Sequence, residues 1–446
     1  MVRIGFEIHV QLKTRSKLFC SCPTNFLEAE PNTNICPICT AQPGSKPDGI
    51  NEEVIRKAVL VALALNCKIL DRPLRFMRKH YFYPDLPSNY QRTSEPFAVE
   101  GELNGVRIRE IHIEEDPGRY ELREGIVDYN RSGVPLIEIV TEPDMTTVEE
   151  ARDFLKHLRA VLDYLDVILY PEIGFRVDAN VSIEGGERVE VKNINSIHGV
   201  VRALKYEIAR HKRMLAMGKK IVRETRHWDE VRGVTVSLRE KETAEDYRYM
   251  PDPDIPPYSI DSTLVEELRT KMPELPHQKR DRLIRDYGID ESAAWTFVLD
   301  KELGDLFESL AKQFGVKNAV AFCLNLRGEL NYRDKYLAEI PRRERLTKLA
   351  ELYFGGDITK PVYVEYLRKI LDDPEFVPIA QEQLSDDELR TIAREIIAAN
   401  PQAISDYKNG EKKAVNFLVG QIVARTKGRA DPKKAIQILR EELQRL

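Results

Sequence analysis

Four of the six cysteines fall within twenty positions: Cys20, Cys22, Cys36 and Cys39. They read C-x-C, then thirteen residues, then C-x2-C. Two close thiol pairs of this kind supply a tetrahedral zinc site of four cysteines, and four protein ligands leave no open position, so such a metal is structural. Pro23, Pro37 and the Asn32-Thr33-Asn34 turn suit a knuckle, although the first pair is tighter than usual. Four unrelated cysteines are the bland alternative. Cys67 and Cys323 sit in apolar helical surroundings and read as small core residues.

A second group of chemical residues recurs at strand spacing. Glu7 and His9 lie two apart, on the face opposite an unbroken apolar row. His112 and Glu114 repeat the arrangement in IHIEED, beside Glu115 and Asp116, and Asp178 and Asn180 repeat it near Glu190 and Lys192. Carboxylate, imidazole and amide oxygens at this density suit Mg2+ and a phosphate-bearing substrate better than zinc. The competing reading is a solvated sheet face. The chain has no P-loop, no G-x-G-x-x-G and no G-x-S-x-G. Any use of ATP therefore lies outside the P-loop scheme, and a reaction needing ammonia must receive it from elsewhere.

The elements that carry these residues follow from periodicity. Residues 2–12 alternate, with Val2, Ile4, Phe6, Ile8, Val10 and Leu12 on one face, which predicts a strand. Asn51 is a candidate N-cap for a helix that starts with Glu52 and Glu53. Thr147-Val148-Glu149-Glu150 is a capping box opening a helix to about Leu165. Residues 175–183 and 189–192 alternate on either side of Gly185-Gly186 and predict a hairpin. An odd loop is required there for the two polar faces to coincide, and a three-residue loop sets Lys192 opposite Asp178 or Asn180. Pro251-Asp252-Pro253-Asp254-Ile255-Pro256-Pro257 excludes helix and central strand and predicts a rigid surface element. From about 275 onward the pattern is helical, with breaks near Gly355-Gly356 and Asn400-Pro401.

At 446 residues the chain has room for two to four domains, and 42% apolar with 32% charged residues is the composition of a folded protein. Lys+Arg 68 against Asp+Glu 73 excludes a uniformly basic nucleic-acid binder. The longest apolar run, Ala58 to Leu65, is far short of a membrane span, and the first residues lack a signal-peptide pattern. A cytoplasmic, membrane-free protein is the expectation. Residues 407–446 hold ten Lys/Arg and four acids, a balance of +6 that leaves the rest at −11. A basic tail on an acidic body is fit to dock a polyanion.

Eight motifs occur in order: GFEIHVQLKTRSKLFC, HYFYPDLPSNYQ, IHIEEDPGR, VDYNRSGVPLIEIVTEPD, RVDANVSI, VEVKNINS, ETRHWDE and DYRYMPDPDIPP. Together they resemble the B subunit of the tRNA-dependent amidotransferase, the GatB/GatE family. GEKKAVNFLVGQIVARTKGRADP resembles the family's YqeY-like tail. The likeness covers nearly the whole chain and is weakest between about 290 and 395. The archaeal GatE branch carries a large inserted domain for which this chain has no room, so GatB is preferred.

The resemblance implies an α+β catalytic domain with a mainly antiparallel, glutamine synthetase/guanido kinase-like sheet, then an all-α region with a YqeY-like tail. It places a catalytic domain with its zinc knuckle at 1–290, a helical domain at 291–398 and a tRNA-binding tail at 399–446. The implied activity is ATP-dependent amidation of Asp-tRNA(Asn) or Glu-tRNA(Gln). Ammonia is then delivered through a tunnel from a GatA-type glutaminase, and a small GatC-type protein braces the pair. A non-catalytic tRNA scaffold, a GatE-like Glu-tRNA(Gln) enzyme and a metal-dependent hydrolase are the alternatives; ATP dependence of product formation separates the amidotransferase from the hydrolase, and tRNA binding without turnover points to the scaffold.

Among residues, the resemblance points to Glu7, His9, Glu114 and Glu115, with Mg2+ on Glu7, His9 and Glu115. Arg176 and Lys192 then face phosphate charge, and Asp178, Asn180, Glu190 and Asn193 occupy matching strand motifs. Lys412, Lys413, Arg425, Lys427 and Arg429 are the implied tRNA contacts. Ile173-Gly174-Phe175 and His80 depart from the family pattern and alter the expected pocket locally.

Overall fold

The computed structural model describes residues 1–446 except 122–123, 172, 241–246, 382–383, 409–410, 427 and 446, and the side chains of 239, 240, 408 and 412. It divides into two compact units, Met1–Leu283 and Ile284–Leu446.

The strands of the first unit are β1 (Val2–Gln11), β2 (Lys68–Ile69), β3 (Phe76–His80), β4 (Tyr90–Ser94), β5 (Ala98–Leu103), β6 (Val106–Glu115) and β7 (Arg119–Glu121). They continue as β8 (Ile126–Asp128), β9 (Pro135–Thr141), β10 (Arg176–Ile183), β11 (Val189–Ile194), β12 (Glu224–Asp229), β13 (Val234–Glu240) and β14 (Met250–Pro251). Among the described residues twelve of them form one sheet, in the order β13-β12-β11-β10-β1-β9-β6-β4-β3-β14, with β5 paired to β6 and β2 to β5. Within it only β11 and β12 pair in parallel; the other described pairings are antiparallel. The fold is α+β followed by helices, as the sequence implies.

One face of this sheet is dry. Ile4, Phe6, Ile8 and Val10 of β1 are all buried, with Leu12 just beyond it. The helices α1 (Glu52–Ala64), α2 (Val148–Tyr164) and α3 (Ile197–Ala216) supply Val54, Phe154, Leu158, Val200 and Leu204 to the same core. Phe6 stacks on Phe154 with ring centroids 6.3 Å apart. The helices start where their caps dictate. Asn51 accepts from the amide of Glu53, Thr147 and Glu150 close the capping box, and Ser196 accepts from the amide of Gly199. With three helices on one face, the alternate side chains of β1, β6, β9, β10 and β11 stand on the other.

The proline-rich segment is largely the surface element expected of it, with Pro251, Pro253, Pro256 and Pro257 exposed, but Asp252 and Ile255 turn inward. Met250 and Pro251 pair with β3 at the sheet edge, where a missing proline amide costs no ladder bond. Asp252 is then buried, accepting from Arg78 at 3.0 Å and from Arg92 at 2.8 Å. The interior tolerates a carboxylate with two guanidinium partners where it does not tolerate a lone one.

The second unit is helical. Its C-terminal part joins the helices Asp386–Ala399, Pro401–Lys408, Lys412–Arg425 and Pro432–Leu443 around one apolar cluster that contains Leu389, Ile396, Leu418, Ile422 and Leu439.

Candidate active site

The open face of the sheet brings the acidic pairs into one row. Glu7 of β1 lies opposite Asp178 of β10, and Asn180 lies opposite Glu190 of β11. Directly opposed residues are neighbours at roughly 5 Å, and carboxylate oxygens of Glu7, Asp178 and Glu190 fall within 4.8 Å of one another. Asn180 Nδ2 donates to Glu7 Oε1 at 3.2 Å. Its Oδ1 is buried and has no hydrogen-bond partner among the described residues. Three carboxylates and an orphan amide oxygen are a hard-oxygen donor set that fits Mg2+.

Lys192 ties this row together. Its Nζ is 2.7 Å from Asp178 Oδ2 and 3.2 Å from Glu190 Oε1. Burial works against its charge, yet Asp178 and Glu190 outweigh that and hold the ammonium well above the usual lysine range. The pairing shifts register between Val177 and Ala179, and Asn193 takes φ +60° there, a conformation asparagine tolerates. The bulge aims the Asn193 amide at Asp178 Oδ1, 2.8 Å away. Burial pushes the Asp178 carboxyl up, but Lys192 and His9 outweigh it and hold the group below the ordinary carboxylate range. Glu7 moves the other way: burial first, then repulsion from Glu138 and Glu190, raise its carboxyl.

The next row continues across β1, β9 and β6. His9 and His112 both lie opposite Glu138. His9 Nε2 is 3.4 Å from Glu138 Oε1, and His112 Nε2 is 3.6 Å from Glu110 Oε1. Burial opposes charge on both rings, but Glu138 lifts His9 to about 9 and Glu110 lifts His112 to about 9. Burial also opposes charge on Glu138, and His9 overcomes it to hold that carboxyl at about 2. Glu114 faces the same side, accepting from Gln91 Nε2 at 3.2 Å, and burial followed by Glu138 raises its carboxyl.

The structure does not bring Glu115 to this set. One residue past Glu114, it points to the opposite face, where Arg92 Nη1 lies 3.2 Å away. The carboxylates that accompany Glu7 at close range are Asp178 and Glu190. Arg176 donates to Asp116 Oδ1 at 2.9 Å, and the buried Asp116 also accepts from Gln11.

Two openings reach the row. A cleft of about 810 Å3 is lined by His9, Lys79, Arg176, Lys192 and Asn193, with Phe82 and Tyr83 on its wall. A smaller pocket of about 190 Å3 shares Glu7 and Asn180 and is walled by Arg3, Arg109 and Arg188. Glu138 and these three arginines are additions that the sequence did not single out. Glu138 does carry a signal, being the lone acid in the apolar run Pro135–Val140. The arginines carry no local signal, because only the strand order places them together.

Away from the row, Cys20, Cys22, Cys36 and Cys39 converge, with their sulfurs within 4.8 Å of one another. Cys36 and Cys39 Sγ are 3.9 Å apart. A tetrahedron with bonds of about 2.3 Å has edges of about 3.8 Å, so the set fits zinc. In the tail, Lys413, Arg425 and Arg429 are exposed, and Arg425 pairs with Glu395. Lys427 and the side chain of Lys412 lie outside the described residues. No helix among the described residues is long and apolar enough to cross a membrane.

Residues 2–266 match the family model of the GatB/GatE catalytic domain, and residues 305–443 match that of the GatB domain. The chain is 49% identical to the B subunit of the aspartyl/glutamyl-tRNA(Asn/Gln) amidotransferase of Methanopyrus kandleri, over 99% of this chain and 98% of that protein. Likenesses of 46% to the corresponding protein of Methanocaldococcus jannaschii and 45% to that of Methanothermobacter thermautotrophicus also span 99% of this chain, and 98% and 100% of those proteins. With a catalytic-domain match over more than half its length and near-complete alignment to these relatives, the chain belongs to the GatB/GatE family.

Proposed function

We propose that this chain is the kinase and amide-forming subunit of a tRNA-dependent amidotransferase, acting on Asp-tRNA(Asn), Glu-tRNA(Gln) or both. The names of its relatives support the substrate class. The observation that carries the chemistry is the Glu7–Asp178–Glu190 row with Asn180 and Lys192, open to a pocket on one side and a cleft on the other.

A carboxylate resists nucleophiles because resonance and charge disfavour attack at its carbon. Transfer of the γ-phosphoryl group from ATP to the aminoacyl carboxylate oxygen, with ADP leaving, makes an acyl phosphate. Ammonia then adds to the carbonyl carbon, phosphate departs with the C–O bonding pair, and the amide forms. Arg3, Arg109 and Arg188 suit the nucleotide phosphates, while the larger cleft suits the acceptor end of the tRNA. Lys192 and Arg176, pre-positioned by their carboxylates, face the oxygens on which charge builds. Glu114, with its raised carboxyl, suits uptake of the proton that the attacking nitrogen sheds. Mg2+ held by Glu7, Asp178, Glu190 and Asn180 would supply charge neutralisation at the phosphates.

Ammonia comes from a glutaminase partner in this reading, and a small third protein braces the pair. Zinc on the four cysteines is structural, and the basic tail holds the body of the tRNA. The deciding experiment supplies purified partner subunits and both misacylated tRNAs. ATP-dependent amide formation supports the reading, and tRNA binding without ADP release identifies a scaffold instead.

A further inference from the structure

Lys17 is fully buried, and no carboxylate lies within ion-pair distance of it among the described residues. Its three donors go to Asn34 O at 2.8 Å, Tyr129 O at 3.3 Å and Cys39 Sγ at 3.4 Å. An ammonium in the interior needs a counter-charge, and carbonyl dipoles supply only part of it. The sulfur is the remaining group able to carry that charge. Four thiolates around a divalent zinc leave a net charge of about −2, which has the same need in the opposite sense.

We propose that Lys17 is a positioning residue for the metal on the four cysteines: it neutralises part of the tetrathiolate and pins the knuckle to segment 127–133. This rests on the reading of those cysteines as zinc ligands. The Lys17 N–H donates to a coordinated sulfur, as does the Cys36 amide at 3.3 Å, and each such bond draws electron density from the thiolate and fixes its lone pairs.

The same ammonium reaches the segment that precedes β9. Around its bond to Tyr129 O, the knuckle and that segment exchange further hydrogen bonds. The Asn34 amide donates to Asn130 Oδ1 at 2.8 Å, Asn32 Nδ2 to Val127 O at 2.8 Å, and Ser132 Oγ to Cys39 O at 2.9 Å. The Tyr129 hydroxyl then donates to Pro84 O at 3.0 Å, next to Tyr83 and Asp85 of the cleft wall. Metal occupancy thereby sets the order of a wall of the cleft without touching substrate.

The test uses the full-length zinc-loaded chain and its Lys17→Met and Lys17→Arg variants. Zinc transfer to a chromophoric chelator, the sulfur-to-metal charge-transfer band of the Co2+-substituted protein, and amide hydrogen exchange over 127–133 are measured. Lys17→Met should transfer zinc at least about tenfold faster, the usual scale for an outer-shell partner. It should also shift the band and speed exchange at 127–133. Lys17→Arg, which keeps the charge, should stay within about threefold of the parent, well inside that tenfold scale. An unchanged rate and band in Lys17→Met overturn the proposal, as does an arginine variant as fast as the methionine one, which reduces Lys17 to packing. Parent protein without metal overturns the zinc reading itself, on the metal analysis alone. If Lys17→Met does not fold, Lys17→Gln takes its place with the same expectations.

Discussion

Glu138 lies directly across the strand pair from His9, with His9 Nε2 3.4 Å from its Oε1, so a carboxylate and an imidazolium share one site on the open face of the sheet. Each holds the other charged. Glu138 sits at about 2, below its ordinary 4.5, so its stabilising contribution is present above about pH 4.5 and is lost as pH falls toward 2. His9 sits at about 9, so its contribution is complete below its ordinary 6.5 and is lost as pH rises through 9. The pair favours the folded state most between roughly pH 4.5 and 6.5. Glu138→Gln should drop the His9 pKa by more than about one unit, toward the ordinary value, in an NMR titration with labelled histidine. The same pKa in parent and variant would mean that His9 is held by its other neighbours.

The acidic row makes a second expectation. Glu7→Gln or His9→Ala should lower ATP-dependent amidation by about 10^2–10^3, the scale for removing one charge-organising group. Glutamine hydrolysis by the proposed glutaminase partner should persist at least partly, since on the proposed reading that chemistry lies in another chain. Parent-level amidation by both variants would leave the row as a solvated sheet face.

Lys192 separates binding from chemistry. Its Nζ is committed to Asp178 and Glu190 at 2.7 and 3.2 Å, a geometry suited to charge that develops during transfer. Lys192→Ala should cut turnover far more than it weakens tRNA binding. Weakened binding with normal turnover would make it a docking residue.

How much of this site is legible in the sequence depends on distance along the chain. Period-two alternation puts Glu7 with His9, and Asp178 with Asn180, on polar faces without any knowledge of strand order. The odd-loop requirement agrees with the observed register, in which Asn180 opposes Glu190 and Lys192 reaches Asp178. Long-range pairing is not legible. Nothing local says that β9 inserts between β1 and β6, and that insertion is what puts Glu138 between two histidines. Glu115 is a different case, decided by the local pleat and not by strand order. Its proximity to Glu114 in sequence suggests a shared site, whereas alternation along β6 sends it to Arg92. Asp252 reads as surface because proline content alone describes backbone freedom and not the guanidinium groups awaiting its carboxylate.

The tail offers the last prediction. Leu389, Ala393, Ile396 and Ile397 of helix Asp386–Ala399 share one apolar cluster with Leu418, Ile422 and Leu439. A cut before Asn400 would strand that helix with its apolar face in water, so the informative truncation falls before Ser385. Residues 407–446 carry the +6 balance, and Lys413, Arg425 and Arg429 are exposed there, so the deleted piece takes away cations that suit phosphates but none of the acidic row. Binding of tRNA by the truncated complex should weaken, and its log–log salt dependence should flatten by about one unit for each phosphate no longer engaged. Discrimination should follow the shape of the folded RNA more than single base edges. ATP hydrolysis and metal content should survive, since both belong to Met1–Leu283 in this reading. An unchanged affinity with an unchanged salt slope would assign the tRNA body to the first unit or to a partner, and the exposed cations of the tail would then be an ordinary solvated helical face.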